Sequence, residues 1–210
     1  DGIDGLAGSL GNIAAISFGG WFALAGDYVY AIMSFALAGS LTGFLRFNLS
    51  KGKNKIFMGD TGSLLIGFVV AVMTVHFIEV NRVAGNLHHI SSAPGVAIGI
   101  LFIPIYDTIR VMTSRILRKQ SPFKADRGHL HHKLLDLGYT HAQATLMISF
   151  ISVLFVVLSY VLQHIGSLKL VLLLTAIATL WYLVPVTKWA RKISAKLTGK
   201  SRILQHSKPV

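Results

Sequence analysis

Six apolar stretches, each close to the roughly 20 residues a helix needs to cross a bilayer, dominate this sequence. They run over about 11–26, 28–45, 63–80, 95–113, 144–164 and 168–187. The first is short and rich in Gly, so a re-entrant segment is an alternative for it. The fourth holds Pro104, Asp107 and Arg110, which predicts a bent helix whose charged end nears the surface. The expected fold is all-α: a polytopic membrane protein with about six transmembrane helices, forming one domain over 1–210 without repeats or linkers. Composition agrees. Charged residues make up only 13% of the chain, against about 25% in a soluble domain, and the mean hydropathy is +0.62. The absence of Cys excludes disulfides, thiolate metal sites and Cys nucleophiles. No signal-peptide pattern is visible. The chain opens at Asp1 and reads as the carboxyl-terminal part of something longer.

The basic residues test this topology. If all six stretches span, one side of the membrane holds 1–10, 46–62, 110–143 and 188–210. Eighteen of the 20 Lys and Arg residues fall there, and only Arg82 and Lys169 fall opposite. Such asymmetry predicts that this side, with both chain ends, is cytoplasmic. Losing one span would scramble the partition, which supports the weak first segment. The net charge of +12 is therefore read as positive-inside patterning. The basic tail 188–210 lacks interleaved aromatic residues after Trp189, so attraction to anionic lipid is expected and nucleic acid is not.

The unusual polar residues gather on the same side. Asp1 and Asp4, in DGIDGLAG (1–8), share a face if helical, and the glycines would admit a ligand or a second backbone. The plain alternative is an Asp-capped helix start. Asp60, in FMGDTGS (57–63), could bind Mg²⁺ as a hard carboxylate ligand or could simply cap the following helix. PFKADRGHLHHKLL (122–135) places three imidazoles within four positions, beside Arg127 and Lys133, a set able to hold a diphosphate. A zinc site is the competing reading, although no recognisable zinc spacing is complete. His76, His88, His89, His141, His164 and His206 are expected as ordinary residues near helix ends. Asp107 and Arg110 are expected to pair, although an acid in a span raises the prospect of function.

DGIDGLAG (1–8), FLRFN…KIFMGDTGSLLIGF (44–68) and PIYDTIRV…PFKADRGHLHHKLL (104–135) together resemble the polyprenyl-phosphate N-acetylhexosamine-1-phosphate transferases, glycosyltransferase family 4. Within that family the likeness is to the bacterial branch that starts O-antigen, enterobacterial common antigen or teichoic acid linkage synthesis. The resemblance implies transfer of a sugar 1-phosphate, N-acetylglucosamine 1-phosphate by default, from a UDP-sugar to undecaprenyl phosphate. UMP is released at the cytoplasmic face of the bacterial inner membrane, with Mg²⁺ or Mn²⁺ as cofactor. It implies that Asp60 binds the metal and that Phe57 packs on uracil. It further implies that Asp1 and Asp4 line the nucleotide site, with Asn48 nearby, and that Arg127, His129, His131 and His132 contact the sugar diphosphate. A homodimer is compatible with this reading. The family also carries an Asp-Asp motif with further helices upstream. No such pair occurs here, so the chain is expected to be a carboxyl-terminal fragment without the motif where the family's proposed base and metal partner lie. The competing classes are a transporter or flippase of lipid-linked sugars and a zinc-dependent hydrolase built on the three imidazoles.

Overall fold

The computed structural model describes residues 2–50, 52–82, 88–122 and 128–183. Asp1 and Arg127, both expected at the site, lie outside these, as does the basic tail 188–210. Every described element is helical: α1 (Leu6–Leu24), α2 (Tyr28–Asn48), α3 (Gly59–Val80), α4 (Ala93–Ile100), α5 (Phe102–Leu117), α6 (Leu130–Asp136), α7 (His141–Val161) and α8 (Ser167–Leu183), with a single 3₁₀ turn at Gln163–Ile165.

Helices α1, α2, α3 and α7 have 19, 21, 22 and 21 residues and are long and apolar enough to cross a membrane. At 1.5 Å per residue they reach about 30 Å, the thickness of the hydrocarbon layer. α4 and α5 would form a fifth span if counted together, but they meet at 77°. α8 is apolar but shorter, so among the described residues four or five helices of spanning character stand where the sequence predicts about six. Pro104 explains the break. Its ring clashes with the carbonyl four residues earlier and it offers no N–H, so the helix yields at Leu101, beside Ile100, and restarts with Pro104 in the first turn of α5.

The first span begins earlier than the apolar pattern suggests, at Leu6, and is a full helix at the centre of the bundle. Phe18 and Phe22 are fully buried, and Phe77 of α3 meets Phe18 and Trp21 edge-on at 5.3 and 4.7 Å between ring centres. Outward positions on the other helices, such as Val29, Ile32, Leu64, Phe68, Leu146 and Phe150, stay exposed. A surface this apolar suits lipid rather than water.

The two ends differ in chemistry. At one, Trp21 Nε1 donates to His88 O (3.1 Å), Asn81 Oδ1 accepts from Ile90 N (2.8 Å) and His76 pairs with Asp27 (2.6 Å). His76 also stacks on Tyr30, with 3.5 Å between ring centres. The other end gathers the starts of α1, α3 and α7, the end of α2, and α6.

Candidate active site

The site is organised by the glycine-rich start of α1. Gly5 caps that helix at φ 77°, a left-handed conformation that side chains resist. Its N–H donates to Asn48 Oδ1 (2.6 Å), and Asn48 Nδ2 donates to Ile56 O (2.8 Å). One buried amide thus joins the start of α1, the end of α2 and the segment entering α3. Thr145 Oγ1 donates to Asp4 O (2.7 Å) and brings in α7.

This junction forms a cavity of about 230 Å³ lined by Gly2, Asp4, Asn48, Phe57, Met58 and His141 among others. The Asp4 carboxylate pairs with Lys55 Nζ (2.6 Å) and lies 3.4 Å from His141 Nδ1. The Phe57 ring is 75% exposed, so an aromatic face is offered to a flat ligand, and Lys55 Nζ stands 5.1 Å from its centre.

A larger cavity, about 580 Å³, adjoins it, because Gly2 lines both. Its polar end holds Ser63, Asp107, His129, His131 and His132. Its walls are apolar, with Leu6, Leu10 and Ala14 from α1, Ile66 and Val70 from α3, and Ile148 from α7. His129 and the start of α6 are held by Asp107. His129 Nδ1 lies 2.9 Å from Asp107 Oδ2, while Arg110 Nη2 donates to Asp107 Oδ1 at 2.7 Å. The N–H of Leu130, the first residue of α6, reaches both carboxylate oxygens at 3.2 and 3.3 Å. The expected Asp107–Arg110 pair therefore exists, but its acid also fixes the histidine turn.

His131 stacks parallel to His129, 5.8 Å between centres, and leans on His132 at 4.2 Å. It is 9% exposed, and its buried Nε2 has no hydrogen-bond partner among the described residues. Burial, reinforced by the neighbouring His132 and His129, pushes its pKa down from 6.5 to about 4, so His131 is neutral at pH 7. A neutral imidazole with an unused nitrogen beside a cavity is ready to hydrogen-bond an incoming oxygen. Gly2 is required at this spot, because an added Cβ would collide with the His131 ring.

Asp60 occupies the first turn of α3, exposed, between Phe57 and Met58 of the smaller cavity and Ser63 of the larger. Its carboxylate lines neither cavity. Among the described residues it has no ion pair, and no three His, Asp or Glu side chains are grouped to cage a metal ion. Asp60 therefore suits Mg²⁺ in one way: as a single carboxylate ligand beside substrate phosphates and water. The stacked imidazoles do not form the converging set that structural zinc takes.

Two residues at these cavities are given no site role by the sequence. Asp107 stands inside the PIYDTIRV stretch, but its histidine partner lies 22 positions away. His141 reads as ordinary. The Thr140–Gln143 capping box, which starts α7 at this end of the bundle, is the signal that could place it.

Comparison with known proteins agrees with the geometry. Residues 1–78 match glycosyl transferase family 4. The chain is 39% identical over 153 residues to the undecaprenyl-phosphate alpha-N-acetylglucosaminyl 1-phosphate transferase of Escherichia coli K12, covering 71% of this chain and 39% of that protein. It is 36% identical over 152 residues to the protein of the same name from Yersinia pestis, covering 70% and 40%. It is likewise 36% identical over 160 residues to the decaprenyl-phosphate N-acetylglucosaminephosphotransferase of Mycobacterium tuberculosis, covering 70% and 39%. The chain thus spans about two fifths of the length of the curated relatives it matches. No solved structure matches it. With the Gly2–Gly5 turn, the GDTG helix start and the histidine turn meeting at one end of an apolar bundle, and with relatives this similar along most of its length, this chain belongs to glycosyl transferase family 4.

Proposed function

We propose that the complete protein transfers N-acetylglucosamine 1-phosphate from its UDP-sugar to undecaprenyl phosphate, releasing UMP, as the first step of a lipid-linked surface glycan. The observation that carries this reading is the pair of adjoining cavities. The smaller one offers an aromatic face and Asp4 to a nucleoside. The larger one joins imidazoles to apolar walls, which suits a lipid that ends in a phosphate. Transporters hold their substrates near the mid-plane, whereas here the polar groups gather at one end of the bundle.

In this reaction an oxygen of the lipid phosphate attacks the β-phosphorus of the donor. The bond from that phosphorus to the UMP oxygen breaks, and UMP leaves with the electron pair. Phosphoryl transfer needs alignment and charge neutralisation more than covalent help. His131, neutral with a free Nε2, and His129, oriented by Asp107, are placed to hydrogen-bond phosphate oxygens. Phe57 would stack on the base. Asp60, with the helix N-terminus behind it, would hold Mg²⁺ together with substrate phosphates. A cation held there would supply charge neutralisation to the diphosphate. The acceptor is already anionic near pH 7, so a general base has little to remove.

The positive-inside pattern favours the cytoplasmic face of a bacterial inner membrane, where UDP-sugars are available. The test is a panel of UDP-sugars offered to membranes that hold the complete protein. UMP together with a new lipid-linked sugar phosphate is expected with UDP-N-acetylglucosamine. UMP formed equally well without lipid phosphate, or with no sugar donor giving product, overturns the reading.

A further inference from the structure

Sequence offers no reason to connect α8 with the site, since it is an apolar helix. Yet Tyr182, near its described end, meets two cations, Arg110 of α5 and Lys133 of α6. Arg110 Nη1 donates to Tyr182 Oη at 2.8 Å, and the guanidinium lies 4.1 Å from the ring centre. Lys133 of α6 also donates to Tyr182 Oη, with its Nζ 4.5 Å from the ring centre. Arg110 meanwhile reaches through Nη2 to Asp107 Oδ1 and to Gly128 O, both at 2.7 Å. Tyr182 itself does not line the larger cavity.

A phenol oxygen has two lone pairs and can accept from both cations at once, and the ring face attracts both. Without the oxygen, the two cations lose their shared acceptor and keep only the ring face of Tyr182 in common. Arg110 would keep Asp107 but lose the contact that draws it toward α8, and Lys133 would lose its tie between α6 and α8. The backbone they hold, Gly128 and the first turn of α6, carries His129 and His131.

We propose that Tyr182 is a positioning residue: by binding Arg110 and Lys133 on one phenol, it holds the 128–133 turn so that His129 and His131 face the larger cavity. Its kinetic consequence rests on the transferase reading, whereas its structural consequence does not. A built-in control exists, because α5 and α8 share a second hydrogen bond, Tyr106 Oη to Thr179 Oγ1 at 2.9 Å, which touches neither cation.

The experiment compares Tyr182→Phe and Tyr106→Phe in the complete protein, reconstituted in lipid nanodiscs. Amide hydrogen exchange over 128–137, thermal midpoint, and kcat and KM for UMP release are measured. Tyr182→Phe should speed exchange in that segment and lower kcat about tenfold or more, since small misplacements of reacting groups are costly, with the midpoint little changed. Tyr106→Phe should leave exchange and kcat unchanged. Unchanged exchange at 128–137 in Tyr182→Phe overturns the proposal, even if activity falls. Equal effects of the two variants also overturn it, by showing that α8 matters only as packing. If the wild-type protein releases no UMP, the transferase reading fails, and the exchange comparison still decides the role of Tyr182.

Discussion

His129 Nδ1 lies 2.9 Å from Asp107 Oδ2, so an acid on the bent helix α5 grips the histidine turn that follows it. The carboxylate accepts on Oδ2 from Nδ1–H, which leaves Nε2 as the nitrogen available to a substrate. The same carboxylate takes the Leu130 N–H and the Arg110 guanidinium. Asp107→Asn keeps the shape but offers an amide that favours either tautomer. UMP release by the complete protein should fall at least about tenfold, as when other orienting partners of a working imidazole are lost. Normal turnover in Asp107→Asn membranes would remove His129 orientation from the mechanism.

Asn48 is 5% exposed and joins three segments through Gly5 N and Ile56 O. Asn48→Leu strands the buried Gly5 N–H and removes the donor to the part-buried Ile56 carbonyl. Each unsatisfied group costs about 1–3 kcal/mol, so a clear fall in thermal midpoint is expected in detergent, with donor binding weakened alongside. Asn48→Asp keeps the acceptor for Gly5 N and should fall less when corrected for its added charge. A midpoint unmoved by Asn48→Leu would show that the junction is held by other contacts.

What the sequence reveals about this molecule follows from range. Apolar length and the one-sided placement of Lys and Arg place the passes and their ends, because both are properties of single segments. The expected bend is present, at Leu101, since proline disturbs the turn before it. The start of α1 is hidden because Gly and Asp in DGIDG dilute the apolar pattern, although Gly5 is what begins the helix. Motifs indicate which residues carry chemistry. They do not show that Gly2 makes room for the His131 ring, that Asp107 serves His129, or that Asn48 commits its amide to the backbone. Those contacts join residues tens of positions apart, and no periodicity encodes them.

His131 gives the stability of this end a pH dependence. Its pKa is near 6.5 when unfolded and about 4 when folded. Between those values the unfolded chain binds the proton and the folded one does not, so stability falls as pH drops from about 6.5 toward 4. The loss across that window is at most roughly 3 kcal/mol, since each tenfold change in proton affinity is worth about 1.36 kcal/mol. His131→Gln should flatten the thermal midpoint against pH over this window, while the parent declines. Parallel curves for the two proteins would show that His131 is not held neutral.

Among the described residues, Asp60 at the start of α3 is an exposed carboxylate without an ion pair. Asp4, by contrast, is already matched by Lys55 at 2.6 Å. A divalent cation shared between a protein carboxylate and a substrate diphosphate would therefore choose Asp60. Its removal should cost little in folding, because no buried partner is stranded. Asp60→Ala should keep its expression and thermal midpoint but lose UMP release about a thousandfold, in the range seen when charge stabilisation at a reacting centre is removed. Chelation of the parent enzyme should stop turnover, and added Mg²⁺ should restore it. In Asp60→Ala, added Mg²⁺ should restore little. The decisive measurement is UMP release against Mg²⁺ concentration for both proteins in membranes. Coincident curves would place the metal elsewhere, whereas a lost response in Asp60→Ala ties the cation to the first turn of α3.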